Sequence, residues 1–282
     1  MDTVTEPKAL QTLCLDLRAR GKRIALVPTM GYLHEGHLSL VDRARRDADV
    51  VVMSIFVNPA QFGPGEDLDA YPRDAERDAA LAGERGVDVL FLPEPDAMYT
   101  PDHATWVDVP ELGAGLCGAS RPGHFRGVCT VVLKLFQLAQ PHAAVFGEKD
   151  WQQLAIIRRM ARDLDVPVEI IGQPIVREAD GLAMSSRNVY LDAAQRAVAP
   201  HIRKGLLRLA EAARGGERDA AELLGDLVAY YARAMPGCEP DYLSLVDPDD
   251  LTTLHLLDGP ALCAVAVRLG ATRLIDNLRF EV

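Results

Sequence analysis

Two histidines stand three residues apart where a short apolar run gives way to a helical pattern. The run is Ile24–Pro28, and the segment His34-Glu35-Gly36-His37 follows it closely. A buried strand that turns into a helix is the building unit of α/β proteins, and the helix N-terminus is where such proteins contact phosphate groups. The feature therefore predicts a parallel α/β fold with an anion site at this turn.

The rest of the first half repeats the same alternation of apolar runs and helical stretches. The runs predict strands at Ile24 to Val27, Val50 to Val57, Val87 to Leu92, Ala143 to Phe146 and Val168 to Ile171. Helical spacing predicts helices at Leu38 to Arg46, Asp74 to Gly83, Val128 to Leu138 and Trp151 to Leu164. Several strands are apolar throughout, as strands covered on both faces are. The pattern predicts a Rossmann-like, doubly wound parallel sheet.

The composition changes after about Ile175. A polar turn segment leads into helices rich in Ala, Leu and Arg over roughly Ala193 to Met235, and three short strands are predicted at Tyr242 to Val246, Ala261 to Val267 and Arg273 to Leu278. We expect one domain over residues 1–175 and a smaller α+β domain over residues 176–282 that closes over a cleft between the two.

The bulk properties restrict the classes of function. The 282 residues carry a formal charge of −11, which disfavours a nucleic-acid surface, since such binding needs many unpaired Lys and Arg. The sequence contains no apolar run long enough to cross a membrane, and its first residues lack the pattern of a signal peptide. We therefore expect a cytoplasmic protein. Five cysteines without a Cys-x-x-Cys pair indicate reduced thiols.

The segment that contains His34 and His37 fits a phosphate site. Gly31 supplies a flexible turn, and Gly36 lets the backbone approach a ligand as the helix begins. The helix N-terminus offers free N–H groups and partial positive charge, and the imidazoles add donors that can move. Two alternatives stay open at this point: a zinc site, although zinc helices usually have His-x-x-x-His spacing, and a loop whose histidines do no chemistry.

Two later segments also suit phosphate. In Val145–Leu154 a strand again leads into a helix, with Gly147 at the bend, Asp150 as a helix cap, and Lys149 between two acids that orient it or hold a cation. Met184-Ser185-Ser186-Arg187 brings hydroxyl and guanidinium donors to the predicted domain junction. A solvated polar turn is the alternative for each segment taken alone.

Five segments together resemble a known enzyme family. They read PTMGYLHEGH, SIFVNPAQFGPGEDLDAYPRD, RPGHFRGVCTVVLKLF, FGEKDWQQL and READGLAMSSRN. Their order and separation resemble the HIGH/KMSKS-type nucleotidyltransferase superfamily and, within it, the pantoate–β-alanine ligase family, over nearly the whole chain. Two positions depart from the pattern. Trp151 stands where a smaller aromatic residue is expected, and the Ser-Ser-Arg loop lacks the lysine of KMSKS, whose role passes to Lys149.

The resemblance implies a two-step ligase. ATP and (R)-pantoate form pantoyl adenylate and pyrophosphate, and β-alanine then displaces AMP to give pantothenate. By resemblance, the catalytic groups are His34, His37, Lys149 and Arg187, with His37 as proton donor or as stabiliser of phosphate charge. The ATP-binding residues implied are Met30, Gly31, Tyr32, Leu33, His34, Glu35, Gly36, His37, Gly147, Glu148, Lys149, Asp150, Val176, Met184, Ser185, Ser186 and Arg187.

The resemblance also implies the remaining ligands and partners. Gln61 and Gln153 bind pantoate, and Gln61 also contacts β-alanine. Mg²⁺ accompanies ATP, with Asp78 as a candidate contact, although Asp78 is equally well explained as part of a solvated helix face. The family further suggests a homodimer. The glycine-rich stretch Gly63–Asp67 is suited to a lid that shields an acyl adenylate from water.

Two other functions compete with this interpretation. An adenylyltransferase that ends at a dinucleotide product uses the same HxGH core but does not need the two glutamines. A nucleotide-binding protein without catalysis is the second, and the four intact groups His34, His37, Lys149 and Arg187 disfavour it.

Overall fold

Six parallel strands form the main sheet. The computed structural model describes residues 1–282, and its sheet has the strand order β1-β4-β3-β2-β5-β6. Every neighbouring pair is parallel. The strands are β1 (Asp2–Val4), β2 (Ile24–Thr29), β3 (Val50–Ile55), β4 (Val89–Phe91), β5 (Ala143–Gly147) and β6 (Glu169–Gln173).

The strand order confirms the predicted doubly wound fold. From β2 the chain adds β3 and β4 on one side, then returns to place β5 against the other side of β2 and adds β6 beyond it. Connections leaving β2 and β5 therefore diverge, and a crevice opens at the carboxyl ends of these two strands. Doubly wound proteins bind ligands at such a switch point.

Helices cover both faces of the sheet, and alternate strand residues divide between two cores. Ile24 and Leu26 join a cluster that includes residues of the helices α1, α7 and α8, whereas Ala25 and Val27 face α2 and α3. This arrangement explains why the central strands β2 and β3 are apolar along most of their length. The helices of this region are α1 (Pro7–Ala19), α2 (Glu35–Arg45), α3 (Ala75–Glu84), α4 (Pro95–Met98), α5 (Pro110–Gly113), α6 (Cys117–Ser120), α7 (His124–Ala139) and α8 (Trp151–Asp163).

The C-terminal region builds its own core. Three helices pack on a three-stranded antiparallel sheet, and their cluster of buried residues runs from Leu182 to Phe280, separate from the two clusters of the main sheet. The domain boundary after residue 175 stays a prediction, and the division of the cores agrees with it. The elements are α9 (Ala193–Val198), α10 (His201–Arg214), α11 (Ala220–Ala234), β7 (Cys238–Val246), β8 (Ala261–Leu269) and β9 (Thr272–Phe280).

Two side chains join the C-terminal region to the loop after β5. Asn277 in β9 donates from Nδ2 to the carbonyl oxygens of Glu148 and Lys149, at 2.8 and 2.9 Å. Trp151, the unexpectedly large aromatic residue, donates from Nε1 to the carbonyl oxygen of Pro248 at 2.8 Å. The C-terminal region therefore holds the segment that carries Lys149.

Several elements differ from the sequence-based prediction at their ends or were missed. The strand β1, which pairs with β4, and the helix α1 were not predicted; β1 is too short to show periodicity, and only its pairing identifies it. The helix α7 begins at His124, four residues before the predicted start, after Gly123 in the left-handed conformation. No helix has the length and apolar character needed to cross a bilayer.

Candidate active site

A cavity of about 230 Å³ opens at the carboxyl ends of β2 and β5, where the strand order reverses. A second cavity of about 500 Å³ adjoins it and shares Lys149, Asp150 and Arg187 as lining. The structure brings most of the predicted site residues to the first cavity. They are Met30, His34, Gly36, His37, Gln61, Gly147, Lys149, Asp150, Gln153, Val176, Met184, Ser185, Ser186 and Arg187.

The other five predicted ATP-binding residues do not line this cavity. Gly31, Tyr32 and Leu33 form the turn behind it, and Leu33 is fully buried in the core beneath the sheet. Glu35 forms an ion pair with Arg85 on the outer surface. Glu148 lies over Gly172 of β6, whose missing side chain leaves room for it. These residues shape the site from outside rather than face its interior.

His34 and His37 cap the helix α2 together. The Nδ1 atom of His34 accepts a hydrogen bond from the backbone N–H of Gly36 at 3.1 Å, and Nδ1 of His37 accepts from the backbone N–H of His34 at 3.4 Å. The rings stack with their centroids 4.0 Å apart. Such reciprocal capping satisfies two helix N–H groups that otherwise lack partners. Contrary to our expectation, these N–H groups are therefore not free for a ligand.

The capping bonds determine the tautomer of each imidazole. Because Nδ1 accepts a hydrogen bond, a neutral ring carries its proton on Nε2, which becomes a donor. Burial, with the charges of Lys149 and Arg77, lowers the pKa of His34 to about 4. Burial, with His34 and Lys149, holds the pKa of His37 well below its usual value. Both rings are thus neutral Nε2–H donors near pH 7.

Gly36 is required by the cap, and its role in letting a ligand approach the backbone stays a prediction. A Cβ atom there would lie 2.7 Å from Cε1 and 2.8 Å from Nδ1 of His34. Real Cβ atoms essentially never approach other heavy atoms so closely, so the ring of His34 occupies the space that a side chain would need. The glycine of HxGH therefore secures the position of the first histidine.

The expectation that Asp78 contacts Mg²⁺ from a helix face is not supported by the structure. The side chain is buried, and its two carboxylate oxygens accept backbone N–H bonds from Tyr32 and Leu33. It does not line either cavity. Asp78 is therefore not part of a solvated helix face, and its oxygens face the turn before His34 rather than a cavity in which ATP and a metal ion would lie.

Lys149 stands in a short 3₁₀ turn between β5 and α8 and lines both cavities. Its Nζ atom lies 3.9 Å from Asp150, which is too far for a hydrogen bond. Asp150 occupies the N-cap position of α8 as predicted, but its side chain makes no capping hydrogen bond. The carboxylate instead lines the cavity, so Lys149 and Asp150 are both available to a ligand.

Arg187 is the second cationic group at the cavity, after Lys149. Its guanidinium donates to both carboxylate oxygens of Asp67 at 3.0 Å and lies over the ring of Tyr71. Burial opposes the charge of Arg187, but the ion pair with Asp67 prevails and raises the pKa of the guanidinium. Ser185 caps the following 3₁₀ turn, and Ser186 donates to the carbonyl oxygen of Tyr32. The late loop is thereby joined to the turn that precedes His34.

Gln61 is held on three sides. Its Oε1 accepts a hydrogen bond from Nδ2 of the buried Asn58 at 3.1 Å, which leaves the amide NH₂ as a donor beside Met30. Its backbone carbonyl lies 2.8 Å from Nδ1 of His124, in the RPGHFRG segment. Gln153, on the first turn of α8, lines both cavities. The two glutamines therefore share the first cavity.

The stretch Gly63–Asp67 is anchored at the cavity by two ion pairs. Asp67 pairs with Arg187, and Glu66 pairs with Arg121. Burial opposes ionisation of Asp67, but the hydrogen bonds and charge of Arg187 outweigh it and lower the pKa of this carboxyl. A lid function for this stretch stays a prediction, and these contacts identify the groups that would have to separate if it opened.

The sequence interpretation missed the apolar wall of the cavity. The apolar spacing over Val128–Leu138 predicts a helix but not which of its side chains line a cavity. Nothing in the spacing distinguishes a side chain that faces another helix from one that faces a ligand. The missed lining residues are Pro28, Thr29, Leu40, Ser54, Phe56, Asn58, Tyr71, Val128, Val131, Val132, Leu135, Phe146, Gln173, Pro174 and Ile175.

The donor set does not form a closed metal site. No group of three or more His, Cys, Asp or Glu side chains has an arrangement that could hold a metal ion, which leaves the zinc alternative without ligands. Asp150 is the single carboxylate in the lining of the first cavity. One carboxylate fits a Mg²⁺ ion that is held mainly by substrate phosphates and water.

Comparison with known proteins identifies one family over the whole chain. The family model described as pantoate-beta-alanine ligase matches residues 2–279. A pantothenate synthetase of Maridesulfovibrio salexigens is 59% identical over 282 residues, which is 100% of both chains. A crystal structure of pantothenate synthetase from Thermus thermophilus superposes with a TM-score of 0.91 at 51% identity, over 99% of each chain.

A further solved structure carries ligands. It is a pantoate-beta-alanine ligase from Francisella tularensis in complex with beta-gamma ATP and beta-alanine, 32% identical, with a TM-score of 0.80 over 99% of this chain and 97% of the other. Sequence, family model and fold thus lead to one assignment. The chain belongs to the pantoate–β-alanine ligase family.

Proposed function

We propose that this protein condenses (R)-pantoate with β-alanine at the expense of ATP, giving pantothenate, AMP and pyrophosphate. The observation that carries the proposal is the convergence of two Nε2–H imidazoles, Lys149 and Arg187 on one cavity that also contains two glutamine amides. The two cationic side chains and the imidazole N–H groups can bind the phosphates of ATP, and the glutamine amides can bind the acid. Membership of the ligase family supports the same conclusion.

The reaction has two steps. First, a carboxylate oxygen of pantoate attacks the α-phosphorus of ATP, a new P–O bond forms, and the bond to the β-phosphate breaks to release pyrophosphate. Second, the amine of β-alanine attacks the acyl carbon, the bond to AMP breaks, and the amine loses a proton. The first transition state is crowded and strongly anionic, so preorganised positive groups stabilise it.

The histidines stabilise phosphate charge in this scheme. Each ring is neutral near pH 7 and presents Nε2–H, because its Nδ1 is engaged by the backbone. A neutral imidazole donates a hydrogen bond but has no spare proton to transfer, which favours stabilisation over proton donation by His37. Lys149 adds a full positive charge. If the guanidinium of Arg187 leaves Asp67, it donates two parallel hydrogen bonds to a phosphate instead.

The glutamines and the apolar wall select the acid. The NH₂ group of Gln61, oriented by Asn58, donates to a hydroxyl or carboxylate oxygen of pantoate, and Gln153 does the same from α8. Neither amide forms an ion pair with the carboxylate, so the nucleophile keeps its reactivity. Val131, Val132 and other apolar residues of the lining suit the carbon skeleton with its two methyl groups.

Mg²⁺ accompanies ATP in this proposal. Asp150 is the residue that would contact the ion or its water shell, while the phosphate oxygens supply most ligands. When bound, the ion neutralises part of the phosphate charge. We also propose a homodimer in the cytoplasm, on the strength of the family resemblance and of the composition.

Isotope exchange between pyrophosphate and ATP tests the reaction. Exchange that requires pantoate but not β-alanine is expected, because the first step is reversible without the amine. Exchange without pantoate would favour an adenylyltransferase that uses another acceptor, and no exchange in any mixture would favour a nucleotide-binding protein without catalysis. Formation of pantothenate on addition of β-alanine completes the test.

A further inference from the structure

A buried carboxylate stands behind the phosphate site without touching it. Asp78, on the first turn of α3, has 1% of its surface exposed. Its Oδ2 accepts the backbone N–H of Tyr32 at 2.6 Å, and its Oδ1 accepts the backbone N–H of Leu33 at 2.7 Å. Asp78 lies 46 positions after Tyr32 in the sequence, so its hydrogen bonds join the first turn of α3 to the turn that precedes His34.

The turn itself needs such an acceptor. Gly31 has a φ of +87° and Tyr32 a φ of +50°, so two consecutive residues are left-handed, and one of them is not glycine. This conformation is unfavourable for a tyrosine and directs successive N–H groups to one side, where they form a concave site for an anion. The carboxylate of Asp78 occupies that site. Without it, the buried N–H of Leu33 and the partly buried N–H of Tyr32 would lack this partner.

The position of the turn determines the position of the imidazoles. His34 follows Leu33 directly, and its backbone N–H is the group that fixes the ring of His37. Arg77, the neighbour of Asp78, also donates to the carbonyl oxygen of Leu33 at 3.0 Å. The first turn of α3 therefore holds both the N–H and the C=O groups of the residue before the HxGH cap.

We propose that Asp78 is a positioning residue for adenylation: it stabilises the left-handed turn and thereby keeps both imidazoles as correctly placed Nε2–H donors. The inference rests on the proposed function for its catalytic readout. It gives the buried carboxylate a role in the reaction through His34 and His37, and not through a metal.

The variant Asp78→Asn tests the inference with minimal change of volume. Asparagine keeps one acceptor oxygen but turns an NH₂ group toward the second backbone donor, so the turn must shift. A displacement of about 1 Å at reacting groups costs about 100-fold in rate. We expect kcat of pantoate-dependent exchange to fall by about that factor, with KM for ATP and pantoate changed far less. Nitrogen-15 NMR of the histidines should show loss of the pure Nε2–H tautomer.

Two control variants in the same helix separate positioning from stability. Ala82→Gly weakens α3 at a fully buried position without removing either acceptor of the turn's N–H groups, and Glu76→Gln removes an exposed charge from its first turn. Both should keep wild-type kcat and histidine spectra, even where Ala82→Gly lowers Tm as much as Asp78→Asn does. Equal loss of kcat in Asp78→Asn and Ala82→Gly would overturn the inference.

The NMR readout keeps the inference separate from the proposed function. If the wild-type protein shows no pantoate-dependent exchange, the proposed function fails, but the tautomer comparison is still decisive for positioning. Unchanged histidine signals in a folded Asp78→Asn protein would refute the positioning role, whatever the activity.

Discussion

Replacement of Gly36 by alanine should separate activity from stability. The added Cβ would lie 2.7 Å from the ring of His34, and an ordinary contact begins at 3.4 Å, so the imidazole has to move by about 0.7 Å or more. The ring then leaves the N–H of Gly36 and no longer presents Nε2–H at its original place. The helix α2 still forms, because alanine is a better helix residue than glycine.

The two effects on stability nearly cancel, whereas the effect on activity does not. Loss of an N-cap costs about 1 kcal/mol, and alanine in place of glycine gains up to about 1 kcal/mol in a helix. We therefore expect Tm to shift by no more than about 2–4 °C. Misplacement of the imidazole should lower the exchange rate about 100-fold, which corresponds to about 2.7 kcal/mol of transition-state stabilisation.

The assay is pantoate-dependent pyrophosphate–ATP exchange together with thermal unfolding. The control is Gly83→Ala in α3, where the nearest atom to a new Cβ is 3.7 Å away in the flexible side chain of Met1. That variant should keep its activity and gain slightly in stability. Near-normal exchange by Gly36→Ala would refute the argument that the glycine exists to seat the His34 ring.

Three further substitutions test other parts of the site. Lys149→Met removes a positive charge whose interaction with a phosphate charge at 4 Å is worth about 4 kcal/mol at an effective dielectric constant of 20. The exchange rate should therefore fall about 1,000-fold with Tm unchanged. Near-normal exchange would contradict the assignment of Lys149. Gln61→Glu sets a carboxylate against that of pantoate and should raise KM for pantoate at least about tenfold, with little change for ATP, as steady-state kinetics would show. The pKa of His34 is about 4 in the folded protein and 6.5 in the unfolded chain. Between pH 6.5 and pH 4 the unfolded chain therefore binds more protons than the folded protein. The free energy of unfolding consequently decreases as the pH falls through this range. In His34→Asn, which keeps a capping oxygen, urea unfolding at pH 7 and pH 4.5 should show a smaller decrease, and an identical decrease would refute the pKa assignment.

The alternation of apolar runs was enough to predict the main sheet. The strands β2, β3, β4, β5 and β6 all fall within or close to the predicted runs, because the inner strands are buried on both faces and must be apolar along most of their length. The pattern could not predict β1, since three residues at a chain end have no periodicity and are stabilised only by pairing with β4. Helix ends depended on capping groups such as Gly123 and His34, which the apolar spacing does not report.

The structure brings the predicted segments together, but not every side chain that they carry faces the cavity. The segments around His34, Lys149 and Arg187 do meet at one cavity, as their positions after strands and at the domain junction suggested. The direction of a side chain within a segment was not predictable. Glu35 and Glu148 belong to the same segments but point away from the cavity, because a helix and a turn present neighbouring residues to different sides.

The sequence by itself determined the topology class, the placement of phosphate-directed groups after buried strands, and the family, since these depend on local order along the chain. Tertiary structure alone decided what each group does. It assigned both imidazoles a single tautomer through backbone N–H bonds, turned Asp78 from a metal candidate into the acceptor for a left-handed turn, and paired Arg187 with Asp67. The reason is physical: protonation state, orientation and burial depend on atoms that are distant in sequence, and only folding brings them within hydrogen-bonding distance.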